Sequence, residues 1–114
     1  MRKRKTGGGG GNSPSFFFMF FFPAASEEEI KREKQKAREL RKSSWWHRKC
    51  AEGRCYYCNA GIPPKELTMD HIVPLVRGGK SVKANIVTAC KDCNNKKKYM
   101  LPIEWAEYLA KLSD

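Results

Sequence analysis

A carboxylate and an imidazole stand side by side near the middle of the chain, at Asp70 and His71. A carboxylate is a hard oxygen ligand for a divalent cation, and a neutral imidazole can accept a proton near neutral pH. Hydrolysis uses such a pairing, because the attacking water must lose a proton. The two residues therefore predict a hydrolytic site.

Two Cys-x-x-Cys pairs bracket these residues, with Cys55 and Cys58 on one side and Cys90 and Cys93 on the other. Four cysteines at this spacing can close a tetrahedral zinc site, which leaves no coordination position open for substrate. The zinc is therefore predicted to be structural, and its binding can add on the order of 10 kcal/mol to folding. Redox dithiols are the alternative, although they need only one such pair. Cys50 falls outside the spacing and is predicted to be a spare thiol.

Length, cysteine count and charge narrow the class of protein. The 114 residues allow one domain at most, and so small a foldable part needs a metal or a disulfide to stabilise it. Five cysteines, an odd number, among many lysines favour zinc over a secreted disulfide framework and predict a reducing compartment such as the cytoplasm. The formal net charge of +11 favours a polyanionic partner, nucleic acid first and an anionic membrane surface second.

Three low-complexity blocks fill residues 1–25: a basic run, five glycines and an apolar run of seven residues. The apolar run is far shorter than the roughly 20 residues that span a bilayer as a helix, so no membrane anchor is predicted. A secretory signal is the alternative, because small residues follow the apolar run. The segment is predicted to be a disordered, low-complexity extension.

A basic helix is predicted over residues 26–49. Ser26 and Glu29 have the spacing of a capping box, and acids come early and bases late, as the helix dipole prefers. This helix either lies solvated against the domain or runs along phosphates, and the sequence leaves both open. At least one of Trp45 and Trp46 is predicted to cover the small core.

Residues 50–114 are predicted to form the folded domain. Residues 67–73 and 85–89 have the composition of strands and predict an antiparallel hairpin with a wide loop. A helix should follow Cys93, and Pro102 can occupy the first turn of a last helix. Three large apolar residues recur at helical spacing in that last helix and are predicted to cover the core: Trp105, Leu109 and Leu112.

Taken in order, these elements resemble the HNH endonuclease family over about residues 54–98. The resemblance is carried by Cys-Tyr-Tyr-Cys, Asp-His-Ile-Val-Pro-Leu, Gly-Gly, Asn-Ile and Cys-Lys-Asp-Cys-Asn-Asn-Lys-Lys. It implies an α+β fold, namely a small zinc-stabilised ββα-metal domain that is treble-clef-like and lies between two zinc knuckles. The basic helix would precede this domain, and the last helix would follow it.

The resemblance also implies a role for each matching residue. His71 takes the place of the family's general base, and Asp70 that of a metal ligand. Asn85 matches the asparagine that holds the base histidine in orientation. Asn94 stands where the family usually has a final metal-binding histidine, and an amide oxygen can still bind Mg²⁺ or Mn²⁺. The expected cofactors are therefore one structural zinc and one catalytic Mg²⁺ or Mn²⁺.

Five basic residues near this site are predicted to grip phosphates or, alternatively, to form a solvated face: Arg77, Lys80, Lys96, Lys97 and Lys98. The predicted function is a metal-dependent HNH endonuclease that hydrolyses DNA phosphodiester bonds, by nicking or by double-strand cleavage. The expected partner is double-stranded DNA, with no small-molecule cofactor, and the expected state is a monomer or weak dimer. The alternative is a catalytically inactive, zinc-stabilised nucleic-acid-binding module, which Asn94 favours.

Overall fold

The computed structural model describes residues 25–113, which form helices around one small antiparallel sheet. The helices and strands run in the order α1 (Glu27–Arg41), α2 (Ser44–Ala51), β1 (Thr68–His71), β2 (Ile86–Ala89), α3 (Lys91–Lys97) and α4 (Pro102–Leu112). Short 3₁₀ turns cover Pro64–Glu66, Leu75–Arg77 and Lys83–Asn85. The α+β fold class with a ββα unit is confirmed. The predicted extension lies, except for Ala25, outside the described residues.

Helix α1 begins at the predicted cap. The Ser26 hydroxyl accepts a hydrogen bond from the Glu29 amide at 3.1 Å, and the Glu29 carboxylate accepts one from the Ser26 amide at 2.8 Å. The helix buries only Glu33 and Ala37, so most of its surface faces solvent. Within residues 25–113, no helix combines the length and the apolar character that a bilayer crossing requires.

The sheet consists of β1 and β2, paired antiparallel with Asp70 opposite Val87 and His71 opposite Ile86. All four residues of β2 are buried, which fits the β-branched content of that stretch. Strand β1 ends at His71, and the chain bends over the next two residues. The bend begins a wide loop that leads to β2, as the sequence predicts.

Two glycines let this loop fold back onto the end of β1. Gly78 has a φ of +92°, a left-handed conformation that favours glycine. At Gly79 a side-chain carbon would lie 1.7 Å from the carbonyl oxygen of Val73, so only glycine fits there. The Gly79 amide in turn donates to the carbonyl of Pro74 at 2.9 Å. The loop is thus held against the residues that follow His71.

The hydrophobic core is small and lies between the cysteine knuckles and α4. Its buried residues are Cys55, Ala89, Cys90, Cys93 and Trp105.

Trp46 is buried, as predicted for at least one of the two tryptophans. The prediction for α4 is correct for Trp105 and wrong for Leu109 and Leu112, whose exposed fractions are 40% and 62%. The reason is that α4 runs past the core: every residue from position 109 to 113 is exposed.

A buried ion pair joins the loop after β1 to α4. The Arg77 guanidinium donates to both carboxylate oxygens of Glu104, at 3.0 and 3.2 Å, and one of its nitrogens also donates to the Tyr99 carbonyl at 3.1 Å. The same Glu104 accepts from the Leu101 amide at 2.8 Å, at the start of α4. Arg77 therefore anchors α4, and both terminal nitrogens of its guanidinium are engaged by protein groups.

We expect Arg77→Met to lower the free energy of unfolding by about 3–5 kcal/mol, because Glu104 would keep a buried charge without its partner. Urea unfolding in the presence of zinc measures the loss. The control is Lys42→Ala, which removes an exposed pair with Glu39 that spans 3.9 Å and is expected to contribute less than about 1 kcal/mol. Equal losses in the two variants would contradict the anchoring role of Arg77.

Candidate active site and metal centre

The four cysteines of the two knuckles converge on one point. Their sulfur atoms all lie within 4.8 Å of one another, and the Cys58 and Cys90 sulfurs are 4.0 Å apart. A zinc tetrahedron with Zn–S bonds of about 2.3 Å has sulfur–sulfur separations of about 3.8 Å. The arrangement therefore fits a zinc ion, with Cys55 and Cys93 as the other two ligands. Cys50 lies outside this group, as the spacing predicts.

Backbone amides point at the first sulfur of each knuckle. The Tyr57 amide donates to the Cys55 sulfur, and the Cys93 amide donates to the Cys90 sulfur, both at 3.4 Å. Burial opposes ionisation of Cys55, but backbone hydrogen bonds outweigh it and lower the pKa of that thiol to about 7. Burial instead raises the pKa of the Cys93 thiol. Amides aimed at sulfur favour the thiolate, which is the form that binds zinc.

A cavity of about 640 Å³ opens beside the end of β1. Asp70, His71 and Asn94 line it together, with Lys34 from α1 and Lys98 from the end of α3. Adjacent residues of a strand point to opposite faces, so two neighbours can share a site only where the strand ends or bends. β1 does end at His71, and both residues reach the same cavity.

The Asp70 carboxylate is buried, with one oxygen fully engaged. Its Oδ2 atom accepts from the Tyr57 hydroxyl and from the Lys97 ammonium, the latter at 3.2 Å. Lys97 is completely buried and also donates to the carbonyl of His71 at 3.1 Å. Burial and the bond to Asp70 raise the pKa of Tyr57, which keeps its phenol protonated as the donor. The other oxygen, Oδ1, has no hydrogen-bond partner among residues 25–113.

Asn94 is oriented by a chain of two hydrogen bonds. The Thr68 hydroxyl donates to the Ala89 carbonyl at 2.8 Å, so its oxygen must accept from Asn94, whose amide nitrogen lies 2.7 Å away. The side-chain oxygen of Asn94, Oδ1, is then left without a hydrogen-bond partner in the described part of the chain. Together with Oδ1 of Asp70 it makes a set of two hard oxygens, which suits Mg²⁺ or Mn²⁺, ions that keep several waters.

His71 is partly buried, and its Nε2 atom lies 2.9 Å from the Ser81 hydroxyl. Burial lowers the pKa of His71. The charges of Asp70 and Glu33 oppose this shift, and those of Arg41 and Lys97 add to it. The ring is therefore neutral at pH 7, which is the form that can take a proton.

Asn85 clamps the chain directly after His71. Its side-chain oxygen accepts from the Val73 amide at 2.9 Å, and its amide nitrogen donates to the carbonyls of Val73 at 3.1 Å and Lys80 at 2.9 Å. The backbone carbonyl of Asn85 also accepts from the Ile72 amide at 2.9 Å. These contacts fix the backbone that follows His71, while the role of Asn85 in orienting the His71 ring stays a prediction.

Comparison with known families matches residues 55–107 to the HNH endonuclease family. These residues form an HNH domain. The matched segment contains all four clustered cysteines and the three residues that share the cavity, whereas α1 and α2 precede it. No curated protein shows significant similarity to the chain. The match supports a nuclease-type domain in this segment, and nucleic acid is the class of substrate that such a domain implies.

Two of the five predicted phosphate contacts are wrong, because their charges are buried inside the HNH domain. Arg77 is 6% exposed and bound to Glu104, and Lys97 is 0% exposed and bound to Asp70. The remaining three lysines are exposed, at positions 80, 96 and 98.

Sequence reasoning also missed three side chains that support the site. Tyr57 and Lys97 hold Asp70, and Ser81 contacts His71. A signal for Lys97 was present, because it follows Cys93 by four residues and so lies on the same face of α3. No comparable signal marks Ser81, which lies in the loop between the strands.

We expect Cys93→Ser to lose zinc and to unfold, because three sulfurs cannot close the tetrahedral site that holds both knuckles. Zinc content and circular dichroism measure the two effects. The matched control is Cys50→Ser, which should keep one zinc ion per chain and melt within a few degrees of the wild type. A folded Cys93→Ser protein with a full complement of zinc would contradict the four-sulfur site.

Proposed function

We propose that this protein is a metal-dependent endonuclease that hydrolyses DNA phosphodiester bonds, with His71 as general base. One observation carries the proposal: His71, Asp70 and Asn94 line the same cavity. The HNH domain at residues 55–107 supports the same reaction class. Double-stranded DNA is the proposed substrate, and a monomer or weak dimer is the proposed state.

His71 performs the proton transfer. Its neutral imidazole accepts a proton from water, whose oxygen forms a bond to phosphorus while the bond from phosphorus to the 3′ oxygen breaks. The departing oxygen takes a proton from solvent. A Mg²⁺ or Mn²⁺ ion held by Asp70 and Asn94 would stabilise the negative charge of the phosphate and of the departing oxygen.

Lys97 and Tyr57 hold the Asp70 carboxylate in place through contacts with its Oδ2 atom. Burying a carboxylate costs free energy unless it is paired and hydrogen-bonded, and these two donors supply both. Because both donors contact Oδ2, the other carboxylate oxygen, Oδ1, is left available to bind a cation. Lys97 also contacts the His71 carbonyl, so one buried ammonium helps to place the proposed ligand and the proposed base.

The substrate backbone would be gripped by exposed lysines around the cavity. Lys34 and Lys98 line it, and Lys80 and Lys96 are exposed nearby in sequence. Contacts of this type bind phosphates without reading bases, so binding is expected to be tolerant of sequence and sensitive to salt. The net charge of +11 favours the same partner.

A nucleic-acid-binding module without catalysis is the second candidate. It is favoured by the position of Lys97, whose ammonium lies 3.2 Å from Asp70 and already supplies positive charge to that carboxylate. The amide of Asn94 is also a weaker ligand than an imidazole for softer metals. Cleavage of DNA by the purified protein separates the two candidates.

We expect the wild type to nick supercoiled plasmid when Mg²⁺ or Mn²⁺ is added, and His71→Ala to cut about 10²–10⁴-fold more slowly. DNA affinity, measured without added Mg²⁺ or Mn²⁺, should stay the same in the variant. His47→Ala is the matched control, because His47 is exposed and lies outside the cavity. Equal trace cutting by wild type and His71→Ala would favour the binding module.

The cleavage rate should rise with pH and level off by about pH 7. Burial lowers the pKa of His71, so the neutral, proton-accepting ring is already populated below the ordinary histidine value of about 6.5. The rate–pH profile should therefore have its midpoint below that value. Single-turnover plasmid cleavage between about pH 5 and pH 8 tests this, and a rate that falls across that range would remove His71 from the role of base.

A further inference from the structure

Helix α1 reaches the active site although it lies outside the matched family segment. Its residue Glu33 is only 5% exposed, while most of the helix faces solvent. A buried carboxylate on such a helix is costly unless hydrogen bonds compensate for the loss of water. The hydrogen-bond partners of Glu33 therefore show which part of the protein this buried residue holds in place.

Those partners all belong to one residue of the loop between the strands, apart from an ion pair with Lys36 on the same helix. The Ser81 amide donates to Oε1 of Glu33 at 2.7 Å, and the Ser81 hydroxyl donates to the backbone carbonyl of Glu33 at 2.6 Å. Ser81 is 5% exposed. Two hydrogen bonds between residues 48 positions apart thus fix this serine against α1.

The hydroxyl of Ser81 also determines which ring nitrogen of a neutral His71 carries the hydrogen. Its oxygen lies 2.6 Å from the Glu33 carbonyl, a distance at which two oxygens need a hydrogen between them, so the single hydroxyl proton is used there. Toward Nε2 of His71, 2.9 Å away, Ser81 can then only accept. Nε2 must carry a hydrogen, and in a neutral imidazole Nδ1 is then the nitrogen that can accept a proton.

We propose that Ser81 and Glu33 are positioning residues that hold His71 in the Nε2–H tautomer, with Nδ1 as the proton-accepting nitrogen, and that α1 is thereby part of the active site. The consequence for cleavage rests on the proposed nuclease function, whereas the tautomer does not. Nδ1 has no hydrogen-bond partner among the described residues, and His71 lines the cavity. Without this support, Ser81 can rotate and donate to Nε2, which puts the hydrogen on Nδ1 and leaves no base facing water.

Nitrogen-15 NMR of the imidazole rings tests the tautomer directly, at a pH where both rings are neutral. The full chain contains two histidines, and a His47→Ala sample identifies the signals of His71. The wild type should show His71 predominantly as the Nε2–H tautomer. A predominant Nδ1–H tautomer, or an equal mixture, in the folded wild type would overturn the proposal before any variant is made.

Four variants then test the two positioning residues. Ser81→Ala removes the hydroxyl and should shift His71 toward a mixture of tautomers and slow cleavage by about tenfold to a hundredfold, with DNA affinity unchanged. Glu33→Ala keeps the backbone carbonyl that accepts from the Ser81 hydroxyl but loses the carboxylate that holds the Ser81 amide, so it should act in the same direction and more weakly. Ser81→Thr and Glu33→Gln keep the hydroxyl and the accepting Oε1, so both should restore the tautomer and most of the rate. Glu39→Ala on the exposed face of α1 is the matched control and should change neither reading.

The two measurements, the tautomer of His71 and the rate of cleavage, separate this inference from the proposed function. Cleavage by the wild type together with an unchanged tautomer in folded Ser81→Ala and Glu33→Ala would overturn the inference and leave the nuclease standing. The expected tautomer and its loss in the variants, without cleavage by the wild type, would support the inference and remove the nuclease. Backbone amide spectra show that each variant is folded, and an unfolded Ala variant leaves the test to the wild-type tautomer and to Glu33→Gln.

Discussion

The fold depends on the convergence of four cysteine sulfurs, three of which belong to buried residues. Cys55, Cys90 and Cys93 belong to the same buried cluster as Ala89 and Trp105, so the candidate zinc site forms part of the hydrophobic core. Four thiolates within 4.8 Å of one another would repel, and a zinc ion bound among them would compensate for that repulsion. One knuckle ends β2 and begins α3, so the same centre sets the position of α3, which lines the cavity, and of the strand that pairs with β1.

Two buried ion pairs add contacts between distant elements to those that the small hydrophobic core provides. Lys97 joins α3 to Asp70 on β1, and Arg77 joins the loop after β1 to Glu104 on α4. Both pairs connect segments that are distant in the sequence. Apolar residues of similar size often stabilise as much as a buried ion pair, but an ion pair has a defined geometry. We infer that the geometry matters here, because Asp70 sits in one pair and the loop that carries Arg77 begins just after His71.

Much of the fold follows from local patterns in the sequence. The capping box at Ser26, the strand composition before and after the wide loop, and Pro102 at the start of the last helix each depend on a few neighbouring residues, and each is found where expected. The cysteine spacing is also local, because a tight turn brings the two sulfurs of each pair together. The sharing of one cavity by Asp70 and His71 required only that the strand end at the histidine, which the composition around Pro74 already favours.

Tertiary structure alone decided which polar side chains serve the site from inside. A lysine or arginine in the sequence has the same charge whether its partner is a phosphate or a buried carboxylate, so Lys97 and Arg77 could not be told from their exposed neighbours. Similarly, Glu33 and Ser81 are 48 residues apart, and the residues around each of them do not predict their contact. The sequence by itself determined the cysteine cluster, the hairpin and the placing of Asp70 beside His71, because these depend on short-range spacing. The partners of that pair were decided by packing, since only the folded chain brings distant hydrogen-bond donors and acceptors within reach.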